Sequence, residues 1–108
     1  MAETKQQNMT FNDIINGDKP VLVDFYTDWC GPCKMMGPIL KELKNKMGDQ
    51  LNIIKVDAEK NADAAIKYNV RGVPTLILFK DGQILWQQSG VMQANQLQSI
   101  INQKVGTQ

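Results

Sequence analysis

The sequence predicts an α/β fold in which helices flank a central mixed β-sheet, built from a βαβ half followed by a ββα half. Three observations carry this prediction: an early apolar strand pattern, a long stretch of helical periodicity directly after it, and two late strand patterns around Asp81-Gly82. The chain has 108 residues, which is close to the commonest size of one domain. We therefore expect residues 1–108 to form a single domain.

The chain begins with a polar segment, residues 1–8. This segment lacks the apolar stretch of a secretory signal, and we expect it to be weakly structured or to form an edge strand. The first clear strand pattern runs from Val21 to Tyr26, a nearly continuous apolar run between Pro20 and Asp28. Such a run is typical of a strand that is covered on both faces.

Helical periodicity replaces the strand pattern from Cys33 to Met47, and Gly48 then offers a C-terminal stop. The apolar residues at helical spacing are Met36, Ile39, Leu40, Leu43 and Met47. Pro38 lies inside this helix, where it cannot donate a hydrogen bond to the carbonyl of Lys34. We therefore expect a kink at Pro38.

A strand pattern returns from Leu51 to Asp57, so that strand, helix and strand follow one another as a βαβ unit with a right-handed crossover. Asn61 is predicted to cap a shorter helix. Residues 75–80 and 84–89 are two further strands, and the Asp81-Gly82 pair between them is a strong signal for a hairpin. A last helix carries its apolar residues on one stripe: Leu97, Ile100, Ile101 and Val105.

Charge and composition exclude several classes of function. The net charge is +1 and the basic residues are spread along the chain, so we expect no nucleic-acid partner and no membrane partner. The chain contains no histidine, which excludes Ser-His-Asp catalysis, Cys-His catalysis and histidine-ligated metals. We expect neither a metal nor another cofactor. Chemistry must come from carboxylates, amines, hydroxyls or the two cysteines.

Cys30 and Cys33 are spaced as C-x-x-C at the start of the first long helix, and three interpretations compete. A zinc site would need four ligands, so a second copy of the chain would have to supply two of them. A purely structural disulfide would close so short a loop that it contributes only about 2 kcal/mol. The third interpretation is a redox dithiol, and the physical chemistry of the position favours it.

A thiolate at Cys30 would lie at a helix N-terminus, where unpaired backbone N–H groups and the positive end of the helix dipole stabilise an anion. The thiolate is the nucleophile in disulfide exchange. Cys33 lies one turn further along and is placed to attack the mixed disulfide formed at Cys30. Pro32 fits the first helical turn, where its missing N–H costs nothing, and Gly31 leaves room for a partner backbone.

These motifs together resemble the thioredoxin family. The matching segments are Val23-Asp24-Phe25, Trp29-Cys30-Gly31-Pro32-Cys33-Lys34, Pro38, Lys55-Val56-Asp57, Arg71-Gly72-Val73-Pro74-Thr75, Phe79-Lys80-Asp81-Gly82 and Gly90. The resemblance extends from about Phe11 to Val105. It implies the thioredoxin fold and a general protein-disulfide reductase, which exchanges its dithiol with the disulfides of substrate proteins and is re-reduced by a thioredoxin reductase.

The resemblance also implies roles for residues outside the cysteine motif. Asp24 would be a buried acid–base group beneath the cysteines, with Lys55 as its partner on the neighbouring strand. Pro74 would be preceded by a cis peptide bond, so that the backbone of Val73 can pair with an extended substrate. A small apolar platform around Cys30 would comprise Trp29, Gly31, Pro32, Val73, Pro74, Gly90 and Val91.

Rival interpretations remain within and outside this chemistry. An oxidase or an isomerase favours a charged residue or a histidine between the cysteines, whereas Gly31-Pro32 is the reducing pair by resemblance. A binding module would use the fold as an assembly subunit, and its thiols would only hold a conformation. For the reductase we expect a monomer in the cytoplasm, since that compartment keeps dithiols reduced.

Overall fold

A computed structural model describes residues 10–106 of the chain. The expectation for residues 1–8 lies outside this range. In chain order the elements are helix α1 (Phe11–Ile15), strand β1 (Val21–Tyr26), helix α2 (Gly31–Met47), a 3₁₀ turn (Gly48–Gln50), strand β2 (Asn52–Asp57), helix α3 (Ala62–Lys67), strand β3 (Thr75–Lys80), strand β4 (Gln83–Ser89) and helix α4 (Ala94–Gly106).

The four strands form one mixed sheet in the order β2-β1-β3-β4. Strand β1 is parallel to β2 and antiparallel to β3, and β4 is antiparallel to β3. The predicted βαβ half and ββα half are therefore both present. The parallel register sets Asp24 directly opposite Lys55.

Both faces of the central strands β1 and β3 are covered, as the apolar run of β1 predicts. One face packs against α2 and α4, and the buried residues there include Leu22, Leu76, Leu78, Met36, Leu40, Leu43, Leu97 and Ile101. The opposite face carries a second buried cluster of Ile15, Val21, Val23, Phe25, Ala65, Ile77 and Phe79. Residues 21–25 of β1 are all buried, so the strand that leads to the cysteine pair is fixed from both sides.

Helix α2 begins at Gly31, earlier than the apolar periodicity alone predicts, because Cys30 is its N-cap and Pro32 occupies its first turn. Pro38 lies inside this helix, which continues to Met47. Helix α3 begins directly after Asn61, but the Asn61 side chain does not cap it. Asn61 is the N-cap residue, as predicted, but its side-chain oxygen accepts no amide of the helix, and its side-chain N–H donates to the carbonyl of Asp57 at 3.0 Å.

Helix α1 was not predicted from the sequence, although it carries a recognisable start signal. Thr10 and Asp13 form a capping box, in which the Thr10 hydroxyl accepts the Asp13 N–H and the Asp13 carboxylate accepts the Thr10 N–H, each at 3.1 Å. The ring of Phe11 then packs edge-on against Phe79, with 6.0 Å between centroids. Because α1 has only five residues, its apolar pattern is too short to show a helical period.

The β3–β4 hairpin turns at Asp81 and Gly82, which both have positive φ angles, 54° and 76°. This is the backbone geometry that matches the twist of the flanking strands. The turn also contacts the end of α1, since the Asp81 N–H donates to the Gly17 carbonyl at 3.0 Å and the Gly82 N–H to the Ile15 carbonyl at 2.9 Å. A Cβ atom added at Gly82 would collide with the side chain of Asn16.

The substitution Gly82→Ala is therefore expected to lower the free energy of unfolding by about 1–2 kcal/mol, because alanine is strained at a positive φ. The matched control is Gly37→Ala inside α2, where an added Cβ meets nothing within 4 Å. Removing a helical glycine should leave stability unchanged or raise it by up to about 1 kcal/mol. Urea unfolding compares the two variants, and equal stabilities would contradict the role given to the turn.

Candidate active site

The cysteine pair lies at the junction between β1 and α2. Cys30 has extended backbone angles and caps the helix, so that its Sγ accepts the backbone N–H of Cys33 at 3.1 Å. The N–H of Cys30 in turn donates to the carbonyl of Thr27, at 3.3 Å. Cys30 and Cys33 are joined by a disulfide, with 5.3 Å between their Cα atoms. The Cys30 sulfur thus lies where the first amides of the helix point toward it.

A cavity of about 510 Å³ opens beside the pair, and its lining includes Cys30 but not Cys33. Both side chains are nearly covered, with 5% and 3% of their surfaces exposed. Of the predicted platform, Trp29, Gly31, Pro32 and Val73 line this cavity, whereas Pro74, Gly90 and Val91 do not. A molecule in the cavity would therefore contact Cys30 and not Cys33.

No site role was predicted for the rest of the lining, which includes Ala58 and Glu59 after β2, and Arg71 and Gly72 before β3. Arg71 and Gly72 belong to a segment that matches the family, but no role was inferred for them from the resemblance. These segments meet because parallel β1 and β2 end at the same edge of the sheet, and antiparallel β3 begins there. The predicted topology was the signal that could have found them. It places the end of β2 and the start of β3 on the two sides of the β1–α2 junction.

The Val73–Pro74 peptide bond is cis, as the family resemblance implies. The carbonyl oxygen of Val73 lies 3.7 Å from the Sγ of Cys30. Neither the N–H nor the carbonyl of Val73 pairs with the backbone of any residue in the described range. Pro74 itself is buried, and its carbonyl accepts the N–H of Gly90 at 2.9 Å, which places Gly90 beside this loop. The hydroxyl of Thr75 holds the loop further by donating to the Gly72 carbonyl at 2.6 Å.

Trp29 is 71% exposed, so it is not a core residue. Its indole Nε1–H nevertheless donates to the carboxylate of Glu59, at 3.0 Å. Glu59 is held in turn by Asp57, whose Oδ1 accepts the backbone N–H groups of Glu59 at 2.9 Å and of Lys60 at 3.1 Å. The large exposed ring of Trp29, beside Cys30, is thus held by hydrogen bonds that run through Glu59 to Asp57 at the end of β2.

Asp24 is completely buried in the middle of β1, and neither carboxylate oxygen has a hydrogen-bond partner among the described residues. Burial raises the pKa of Asp24 from its ordinary value of 3.8 to about 6, and the positive charge of Lys55 opposes part of that rise. Lys55 lies opposite Asp24 in the sheet, but its ammonium group lies over the ring of Tyr26, 4.8 Å from the centroid. No ion pair within 4.0 Å joins Asp24 and Lys55.

Residues 10–106 offer neither a cluster of metal ligands nor a helix that could span a membrane. These residues contain no group of three or more cysteine and acidic side chains that could hold a metal ion. None of the helices in this range is long and apolar enough to cross a membrane.

Comparison with known proteins gives one consistent result. The family model described as Thioredoxin matches residues 2–103. A thioredoxin from Bacillus subtilis is 45% identical over 102 residues, which cover 94% of this chain and 97% of that protein. A chloroplastic thioredoxin Y2 from Arabidopsis thaliana is 47% identical over 97 residues, and the match spans 89% of this chain but only 58% of that longer protein.

A solved structure agrees with these sequence matches. A mutant thioredoxin from Halobacterium salinarum aligns with a TM-score of 0.78 at 36% sequence identity, covering 86% of this chain and 80% of that one. This likeness and the observed strand order confirm the fold class predicted from the sequence.

The buried Asp24 makes stability depend on pH. Between pH 3.8 and about 6 the folded chain holds a proton that the unfolded chain releases, so the free energy of unfolding falls as pH rises through this window. The substitution Asp24→Asn removes the ionisation and should stabilise the oxidised protein by up to about 3 kcal/mol at pH 8. At pH 4 the two proteins should be about equally stable.

Urea unfolding at both pH values measures this difference. The control is Asp49→Asn, which changes an exposed carboxylate and should have little effect at either pH. A variant at position 24 that is no more stable than the parent protein at pH 8 would show that burial does not penalise the charge.

Removing the acceptor at Glu59 should free the ring of Trp29. A hydrogen bond of this kind contributes on the order of 1 kcal/mol, so Glu59→Ala should let the indole leave its position several-fold more often. Glu59→Gln keeps an acceptor oxygen and should behave like the parent. Fluorescence anisotropy decay measures the motion of Trp29 in a Trp86→Phe background, and an unchanged decay in Glu59→Ala would mean that the bond does not hold the ring.

Proposed function

The chain belongs to the thioredoxin family of thiol–disulfide oxidoreductases, and on that premise we propose that it is a general protein-disulfide reductase. One observation carries the proposal: the Sγ of Cys30 accepts an amide of the α2 N-terminus and lines the cavity, whereas Cys33 lies outside the lining. The two sulfurs therefore have different surroundings, which suits a reaction in which one attacks the substrate and the other resolves the product.

The proposed reaction has two exchange steps. In the reduced protein, the Cys30 thiolate attacks one sulfur of a substrate disulfide, that S–S bond breaks, and the other substrate sulfur leaves as a thiolate and takes up a proton. Cys33 then loses its proton and attacks the sulfur of Cys30, which releases the second substrate thiol. Two electrons have passed to the substrate, and the protein carries a Cys30–Cys33 disulfide.

The roles of the two cysteines follow from the start of α2. An anion at Cys30 would be stabilised by the positive end of the helix and by the Cys33 amide, 3.1 Å away in the oxidised form. Gly31 and Pro32 lie between the cysteines, and a Cβ atom added at Gly31 would meet nothing within 4 Å. That open space lets a substrate backbone approach the Cys30 sulfur. Gly31 and Pro32 carry no charge, so they do not alter the reactivity of the Cys30 sulfur electrostatically.

Asp24 is proposed to accept the proton of Cys33 during resolution. A pKa of about 6 supports this role, because a carboxyl group that titrates near neutrality exchanges protons efficiently at physiological pH. Lys55 is its proposed partner from the neighbouring strand, since its positive charge favours the ionised carboxylate. Burial among apolar side chains would keep that proton transfer away from bulk water.

The substrate is proposed to bind as an extended segment across the face of Cys30. The N–H and carbonyl of Val73 support this, because they pair with no backbone group among residues 10–106, and an added strand forms its hydrogen bonds with main-chain groups of this kind. Trp29 supplies an exposed apolar surface on the same cavity. Pro74, Gly90 and Val91 complete the proposed platform.

The proposed partners are proteins with accessible disulfides and a thioredoxin reductase that returns two electrons to the oxidised pair. In this role the chain, as a monomer, would serve electron transport and cell redox homeostasis. We place it in the cytoplasm because a reducing compartment keeps the dithiol available. Plant relatives such as thioredoxin Y2 are chloroplastic by name.

The assigned roles predict an asymmetric trapping experiment. Cys33→Ser lacks the resolving thiol, so after reaction with insulin it should remain linked to the substrate through Cys30 in near-stoichiometric yield. Cys30→Ser lacks the nucleophile that lines the cavity and should trap little. Non-reducing gels and mass spectrometry measure both yields, the double variant Cys30→Ser/Cys33→Ser is the blank, and equal trapping by the two single variants would contradict the assignment.

A further inference from the structure

The cavity beside Cys30 carries opposite charges on its two sides. Arg71 lines it next to Gly72 and Val73, and it is the only arginine in the chain. Glu59 lines it next to Trp29, to whose indole it is bonded. Arg71 precedes β3 and Glu59 follows β2, and the sheet order β2-β1-β3 places these two strands on either side of β1.

The guanidinium group of Arg71 is positioned but not neutralised. Its Nε–H donates to the side-chain oxygen of Asn69 at 3.1 Å, and Asn69 has a positive φ of 59°. Asn69 is uncharged, and no carboxylate in residues 10–106 lies within 4.0 Å of Arg71. Arginine has five N–H donors, so most of them remain for a ligand, and their planar arrangement matches a carboxylate.

A substrate segment that reaches Cys30 through this cavity comes close to Arg71, which lines the same cavity. Arg71 is two residues from Val73, whose carbonyl oxygen lies 3.7 Å from the Cys30 sulfur. A peptide that pairs with Val73 therefore brings a residue near its own cysteine within reach of the guanidinium. The opposite side of the same cavity presents the carboxylate of Glu59, which repels an acidic residue there.

We propose that Arg71 is a specificity-determining residue, which favours substrate disulfides with an acidic side chain on one side of the reacting cysteine. This inference rests on the proposed reductase function and adds a substrate class to it. The opposed charges of Arg71 and Glu59 also select the direction in which the peptide crosses the cavity. A substrate peptide bound in that direction would place a lysine near Glu59, an aspartate near Arg71, or both.

The test uses short peptides, otherwise neutral, whose single cysteine is joined to 2-thiopyridine as a mixed disulfide. Each peptide carries Asp, Asn or Lys either two residues before or two residues after that cysteine. The reduced protein releases the chromophore, and each second-order rate constant is divided by the rate constant of the same peptide with dithiothreitol. This division removes the effect of the added charge on the disulfide itself.

At one of the two positions the Asp peptide should react about two- to five-fold faster than the Asn peptide, as expected for one partly exposed ion pair. Arg71→Gln should abolish this preference, and Arg71→Glu should reverse it in favour of Lys. The preference should shrink as salt is raised to 0.5 M. The control Lys41→Glu makes the same change in net charge on the exposed surface of α2, about 15 Å along the helix from Gly31, and should keep the preference of the parent.

Asp-to-Asn ratios that are equal in the parent protein and in Arg71→Glu, at both positions, would overturn the inference while leaving the reductase function standing. A reversal that also appears in Lys41→Glu would overturn it too, because net charge alone would then explain the effect. Failure of the proposed function would look different. In that case the parent would reduce the neutral Asn peptide no faster than the Cys30→Ser variant.

Discussion

The bond from the Cys33 amide to the Cys30 sulfur is the interaction on which the rest of the site depends. It places a sulfur atom at the N-terminus of a 17-residue helix, where the main-chain amides have no partners of their own. The position is rigid, because α2 is anchored in the core by Met36, Leu40 and Leu43. On the other side Cys30 is tied to the end of β1 through the carbonyl of Thr27.

The sheet brings every other part of the site to this point. Since β1 is central, the ends of its two neighbours flank the β1–α2 junction, and their loops supply Glu59 on one side and Arg71 and Val73 on the other. The same central position buries Asp24 without hydrogen-bond partners in the described chain. Stability alone would not select a carboxylate there, because an unpaired buried charge is costly. Its presence in an otherwise apolar strand is consistent with a role in proton transfer.

The sequence predicted most of the fold and the centre of the site. Apolar periodicity predicts β1, α2 and the hairpin, because burial on defined faces imposes those periods. The C-x-x-C motif can be recognised because its two cysteines are close together in the sequence. The place of Glu59 and Arg71 in the site was not predicted, although Arg71 lies in a segment that matches the family. Their closeness to Cys30 arises from strand order, which brings together residues about 30 to 40 positions apart. Asn61 shows a different limit. It occupies the N-cap position of α3, as its residue type predicts, but its side chain makes no capping bond and its amide N–H donates to a carbonyl one turn earlier.

The central claim is that the N-terminus of α2 makes Cys30, and not Cys33, the reactive thiolate of the reduced protein. The most direct measurement is the rate of alkylation of each thiol by iodoacetamide from pH 5 to pH 10, followed by peptide mass spectrometry. An ordinary cysteine becomes reactive around pH 8.5, to within about a unit. Cys30 is expected to react at clearly lower pH than this and well before Cys33. Equal rates for the two thiols across the whole range, or faster alkylation of Cys33, would contradict it.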